Sequence, residues 1–300
     1  MKKILIASRW CTPARNPRAF RTAELLDEFL QREYDITVFL PDEAKISKKI
    51  RHIKVGSKCF NTSAKYVFGK KTHSENVYVN KAKKIFGYFF GDGIRTLLYT
   101  YSLYGLAKSH LRKEHDYDVI LSISYPFYVN VAVALLKRYV SPMTILIADC
   151  GDPFYANPSF PKAFYLKYLE KWVLNQFNYI TIPIESARGS YLEYLPSERI
   201  KVIPQGFKLI DIQENTYHKN HVPTFGYAGV FYESIRNPRY FFEYLLTLKQ
   251  VFHFVVYAIA DGFTVRLLSE YKEKLGEKLE ICEAVDRDVL IPKMAAWELS

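Results

Sequence analysis

Four short segments gather the residues whose types and spacing can do chemistry. Arg9, Arg15 and Arg18 crowd the stretch around Asn16-Pro17. Asn is a favoured helix N-cap, and Pro fits the first helical position, where its missing N–H costs nothing. A helix therefore starts among these arginines. Its unpaired N–H groups, its dipole and the guanidinium forks together favour a phosphate or carboxylate. Ser122-Ile123-Ser124-Tyr125-Pro126 supplies small hydroxyls and a ring suited to a sugar or acceptor pocket. Asp149-Cys150-Gly151-Asp152 sets two carboxylates three positions apart. They can orient hydroxyls, supply a base, or simply cap turns beside Gly151 and Pro153. The fourth segment runs from Gly226 and Gly229 to Arg236 and Arg239. Its glycines let backbone approach a ligand closely, and its arginines stand at a helix start, as a diphosphate site requires; the alternative is an ordinary surface position.

The first and fourth segments are related. Arg15-Asn16-Pro17-Arg18-Ala19-Phe20 returns as Arg236-Asn237-Pro238-Arg239-Tyr240-Phe241, with five identities in six positions. The same offset lays Lys3–Ser8 over Thr224–Gly229 without a gap. Each copy reads as apolar strand, polar loop and Asn-Pro helix start, so the chain begins a strand–loop–helix unit twice. Two such beginnings predict two α/β domains facing a shared cleft.

The elements that must position these loops alternate as strand and helix through the first two-thirds of the chain, the pattern of a parallel sheet with crossover helices. Strands are expected at 3–8, 35–40, 52–55, 119–122, 143–148, 179–182 and 201–203, with helices over 17–32, 94–112, 127–138, 163–177 and 185–194 between them. The uncharged run from Val119 to Leu136 divides into strand, turn and helix; Ser122, Ser124, Pro126 and Asn130 argue against a membrane span. Residues 1–207 are read as one domain, 208–222 as a linker and 223–300 as a second domain. His218 and His221 in that linker are read as solvated rather than as metal ligands, and no metal site is expected. The second domain offers about three strands where nucleotide-binding α/β domains usually have about five or six, so it is expected to be truncated.

A net charge of +11 and an aromatic content of 16% are less ordinary. Lys65, Lys70, Lys71, Lys81, Lys83 and Lys84 run into Ile85-Phe86-Gly87-Tyr88-Phe89-Phe90, within a segment, 56–92, read as an insertion. Lysines beside exposed rings suit an anionic bilayer surface; a solvated loop with its rings folded inward fits the same residues. No pattern of nucleic-acid recognition accompanies the charge, so no nucleic-acid partner is expected. Four scattered cysteines fit a reduced cytosolic compartment. The absence of G-x-G-x-x-G after either opening strand argues against a dinucleotide dehydrogenase, and no Walker loop, G-x-S-x-G or H-E-x-x-H is present.

Together, Lys3–Ser8 with 17–38, Asp118–Leu136, the turn Lys201-Val202-Ile203-Pro204-Gln205-Gly206-Phe207 and the basic helix start after Gly229 resemble the family 4 glycosyltransferases. That resemblance implies a GT-B fold of two Rossmann-like domains, the C-terminal one incomplete here. It also implies transfer of a hexose, with retention of configuration, from a nucleotide-diphosphate sugar to a saccharide or lipid-linked acceptor. The donor is a substrate, and no cofactor is implied. On the family pattern Arg236 matches the donor-phosphate contact and Gly229 the close-approach glycine, with Arg239 beside them. Arg15, Arg18, Tyr125, Asp149 and Asp152 fall on acceptor-side loops. Synthesis of a cell-surface polysaccharide at the cytoplasmic membrane face is the expected setting. Gln205 and Lys208 depart from the family turn, and the acidic E-x7-E donor segment would lie beyond Ser300. A non-catalytic member that keeps the fold as a scaffold is the alternative expectation.

Overall fold

The computed structural model describes residues 1–14, 16–56, 77–157, 162–206, 220–233, 236–259, 262–295 and 297. They fall into two compact units, one made of described residues up to 206 and the other of those from 220 onward. Arg15, residues 57–76 of the 56–92 insertion and residues 208–219 of the linker, His218 among them, lie outside the described residues.

The first unit is a seven-stranded parallel sheet. Its strands are β1 (Lys3–Ser8), β2 (Asp35–Leu40), β3 (Arg51–Lys54), β4 (Val119–Ile123), β5 (Ile145–Asp149), β6 (Tyr179–Ile182) and β7 (Ile200–Val202), in the order β3-β2-β1-β4-β5-β6-β7. The chain winds outward from β1 to β3, then crosses back to place β4 on the other side of β1. This doubly wound order creates a switch point at the β1/β4 boundary. Side chains alternate across the sheet as strand geometry requires. Leu5 and Ala7 enter the larger core and Ile4 and Ile6 the smaller one on the opposite face. Leu26 of α1 (Pro17–Gln31) packs in the smaller core. Tyr99 and Leu103 of α3 (Ile94–Leu111), Val129 and Val133 of α4 (Tyr128–Leu136) and Val173 of α5 (Tyr165–Asn175) build the larger. The uncharged run resolves into β4 and α4, as its turn residues predict. No helix among the described residues is long and apolar enough to cross a membrane.

Two sequence readings are corrected here. Residues 185–194 do not form an α-helix; a 3₁₀ segment covers Glu185–Ser190 instead. Part of the presumed insertion is a regular helix, α2 (Val77–Phe90). Its large apolar residues are consecutive at Ile85-Phe86 and Tyr88-Phe89-Phe90, so they mask the usual three-to-four-residue periodicity.

The second unit holds β8 (Thr224–Gly229), β9 (His253–Ala258) and β10 (Leu279–Glu283), parallel and in the order β10-β9-β8. The helices α6 (Arg239–Thr247), α7 (Gly262–Leu275) and α8 (Arg287–Ala295) accompany them. Phe242, Phe254 and Tyr271 anchor its core, with the Phe242 and Tyr271 rings stacked at 4.6 Å. The repeat in sequence is a repeat in structure: β1 and β8 both open a sheet, and α1 and α6 both follow an Asn-Pro start. Asn16 Oδ1 accepts from the Ala19 amide at 2.9 Å. Asn237 Oδ1 accepts from the nearer Arg239 amide at 3.1 Å, and α6 starts one residue later in its copy. β1 pairs on both sides, with β2 and β4, whereas β8 pairs only with β9 among the described residues.

Candidate functional site

In-register pairing sets Ser8, Ile123, Asp149 and Thr181 in one row at the carboxyl edge of the first sheet. The described acceptor-side candidates gather at that row: Asp149 within it, Tyr125 and Asp152 in the loops that leave it, and Arg18 in the first turn of α1, bonded to Asp149. Asp149 is buried and fully engaged. Its Oδ2 accepts from Arg18 Nη1 at 3.0 Å, and its Oδ1 accepts from Arg21 Nη2 at 3.1 Å and from Thr181 Oγ1 at 2.6 Å. Arg21 also donates to the Pro204 carbonyl at 3.2 Å, and Gln205 Nε2 donates to the Pro17 carbonyl at 2.8 Å. The turn after β7 is thereby laced to the start of α1.

Asp149 therefore acts as the anchor of two guanidinium groups rather than as a hydroxyl-orienting group or base. Gly151 completes the anchor: a Cβ there would lie 1.5 Å from Arg18 Nη2, so the guanidinium lies directly over bare backbone. Arg21, which sequence reasoning did not single out, is as much a part of this cluster as Arg18. Its signal was present, since a cation three positions after Arg18 on a helix shares its face. Arg9 is buried too, its guanidinium 4.8 Å from the Tyr99 ring and 4.9 Å from the Trp10 ring. Burial pulls its pKa below the ordinary arginine value, opposed by the electrostatic influence of Tyr99 and Glu43.

The serine hydroxyls are not available as expected. Ser122 Oγ donates to Asn130 Oδ1 at 2.6 Å, and Ser124 Oγ to the Asp149 carbonyl at 3.2 Å. Both are buried and serve the frame. Tyr125, by contrast, is 54% exposed, and Asp152 is exposed at the following strand end. The loop after Asp152 is held by Glu170 of α5, whose carboxylate accepts from the Phe154 and Tyr155 amides at 2.8 and 2.9 Å. Burial pushes the Glu170 pKa up, against these two hydrogen bonds.

In the second unit the candidates separate. Arg239 gives its Nη1 to both carboxylate oxygens of Glu270 at 2.9 and 3.0 Å, tying α6 to α7. Hydrogen bonds from Arg239 and Lys274 hold the Glu270 pKa down at about 2. Arg236 is exposed in the loop after β8, its guanidinium 5.9 Å from the Tyr232 ring. A backbone bridge joins residues 232 and 236, with hydrogen bonds of 3.1 and 3.3 Å. Among the described residues no carboxylate pairs with Arg236. Gly229 makes room for the Tyr227 ring, since a Cβ there would lie 2.7 Å from its hydroxyl and the ring would have to shift. A surface pocket lined by Asn178, Tyr179, Arg199 and Lys201 opens where β6 begins, away from the row of strand ends.

Two parallel α/β units, each opening on a strand, loop and basic helix start, define a GT-B fold. Solved structures share it. TarM superposes with a TM-score of 0.65 at 9% identity, over 99% of this chain and 79% of that one. Anabaena Alr3699/HepE, in complex with UDP and glucose, gives 0.59 at 13% identity, over 99% and 72%. A UDP-N-acetylglucosamine 2-epimerase from Rickettsia bellii gives 0.50 at 11% identity, over 98% and 71%. No protein-family model and no curated protein matches the sequence.

Proposed function

We propose that the chain is a glycosyltransferase that moves a hexosyl group from a nucleotide-diphosphate sugar to a saccharide or lipid-linked acceptor. Arg236 is the observation that carries this reading. It is an exposed guanidinium beyond the carboxyl end of β8, its backbone bridged to residue 232, with no carboxylate partner among the described residues. A diphosphate supplies the missing anion, and the growing negative charge on a departing diphosphate is what such a group stabilises. HepE, of the same fold, is seen with UDP and glucose, which supports a nucleotide-sugar donor.

The acceptor is assigned to the strand ends of the first unit. Asp149 holds Arg18 and Arg21 in place there, while Tyr125 and Asp152 are exposed to meet a hydroxylated substrate. Asp149 is consumed by its partners and does not supply a base; a retaining course without a protein base is carried over from the family resemblance. The reaction is placed in the cytoplasm, at a membrane face where surface polysaccharide is assembled.

A second reading comes from the epimerase that shares the fold, since binding a nucleotide sugar does not by itself require transfer. Incubation with a set of nucleotide sugars and saccharide acceptors decides between them. Transfer releases nucleoside diphosphate together with a glycosylated acceptor of unchanged anomeric configuration. A changed sugar on an intact nucleotide sugar would identify an epimerase instead. Failure to bind any nucleoside diphosphate would leave the scaffold alternative.

A further inference from the structure

The first unit carries an aromatic surface that its own packing leaves uncovered. On α2, residues 81–85 and 88–90 are all exposed, including Ile85, Tyr88, Phe89 and Phe90. On α5 and the residue before it, Phe164, Tyr165, Tyr168 and Trp172 recur at helical spacing opposite the buried Leu166, Glu170, Val173 and Leu174. Phe164 is 72% exposed and Tyr168 66%. These two sets are joined. The Ala163 amide donates to the Tyr88 carbonyl at 2.9 Å, and the Tyr165 hydroxyl donates to the Phe89 carbonyl. The Phe86 and Phe90 rings stack at 4.4 Å within α2. α3 continues from the turn after α2, with Ile94, Leu98 and Tyr101 exposed along one side.

The exposed charge on these helices is of one sign. Lys81, Lys83 and Lys84 on α2, Arg95 on α3 and Lys171 on α5 are exposed. Described residues 81–111 contain one carboxylate, Asp92, which is mostly buried in the turn; the α5 carboxylate, Glu170, is buried. Lys167 is the exception among the cations, paired with Glu193 at 2.6 Å.

We infer that this face docks on an anionic lipid bilayer, with the rings of α2 and α5 at the headgroup–acyl boundary and the lysines among the phosphates. A protein partner would be expected to meet mixed charges and a tighter apolar core. Exposed rings on joined helices, flanked mainly by cations, match what an interfacial surface selects. The inference names the surface behind the membrane setting proposed above, and on that point it rests on that proposal. It stands separately from sugar transfer, because vesicle binding needs no donor.

Flotation with vesicles of phosphatidylcholine, alone or with about a third phosphatidylglycerol, tests it, at low and high salt. The chain is expected to float with the anionic vesicles at low salt and to stay down with the neutral ones. The double variant Lys81→Glu/Lys84→Glu and the double variant Phe89→Ser/Tyr168→Ser are each expected to weaken that binding by about tenfold or more. All four side chains are exposed, so circular dichroism is expected to match the parent. No flotation at low salt, or equal flotation by either variant, overturns the inference. A concentration-dependent dimer in sedimentation that Tyr168→Ser abolishes also overturns it, assigning the face to a second copy. Nucleoside diphosphate binding by the same preparations keeps failure here distinct from failure of the proposed function.

Discussion

At the scale of residues, the carboxylates and arginines divide into those already spent and those left to act. Asp149 is spent on Arg18, Arg21 and Thr181, so its removal should register chiefly as instability. Asp149→Ala leaves two largely buried guanidinium groups without their counter-ion, a loss of about 3–5 kcal/mol in denaturant unfolding. Gly151→Ala is expected to behave differently. The added methyl meets the far end of the Arg18 side chain, not backbone, so the guanidinium should swing off Asp149, with a smaller loss of stability than Asp149→Ala because Arg21 and Thr181 keep the carboxylate paired. Acceptor-dependent turnover should fall more than donor binding. Arg239 is also spent. Arg239→Ala is expected to let the Glu270 pKa climb from about 2 toward its ordinary 4.5, read by NMR titration, while nucleotide affinity stays unchanged. A pKa that stays near 2 would mean that Lys274 alone holds the carboxylate.

At the scale of elements, Glu170 is the clearest pH-sensitive support. Its folded-state pKa is raised by burial, so the folded state holds a proton that the unfolded state has already released. Its contribution to stability is full below the ordinary glutamate value of 4.5 and is lost as pH rises through the folded value. Glu170→Gln removes that dependence. Its amide can satisfy only one of the two amides of Phe154 and Tyr155, so a general loss of about 1–3 kcal/mol is expected as well. Thermal unfolding of both proteins across acidic to neutral pH reads the two effects apart. Legibility differed by element for physical reasons. The strands were readable because parallel strands buried on both faces are unbroken apolar runs. The Asn-Pro helix starts were readable because capping is local. α2 was not, because an exposed helix need not keep an apolar stripe. The Asp149 cluster was not either, because Arg18 and Arg21 meet it from 131 and 128 positions away.

At the scale of the whole molecule, the doubled helix start becomes an assignment of labour between two units of one fold. In the first copy Arg18 is drawn down onto Asp149; in the second Arg239 is drawn onto Glu270 and Arg236 is left outward. The two units use the same strand–loop–helix opening, and among the described arginines of the repeat Arg236 alone stands without a carboxylate partner. Calorimetric titration of nucleoside diphosphates into the parent, Arg236→Ala and Arg239→Ala compares those cations directly. Loss of one charge-assisted contact to phosphate amounts to about 1.5–3 kcal/mol, or roughly ten- to a hundredfold in Kd. That loss is expected for Arg236→Ala alone, with Arg239→Ala binding like the parent. Equal affinity in the parent and Arg236→Ala would contradict the donor assignment at the centre of the proposed function.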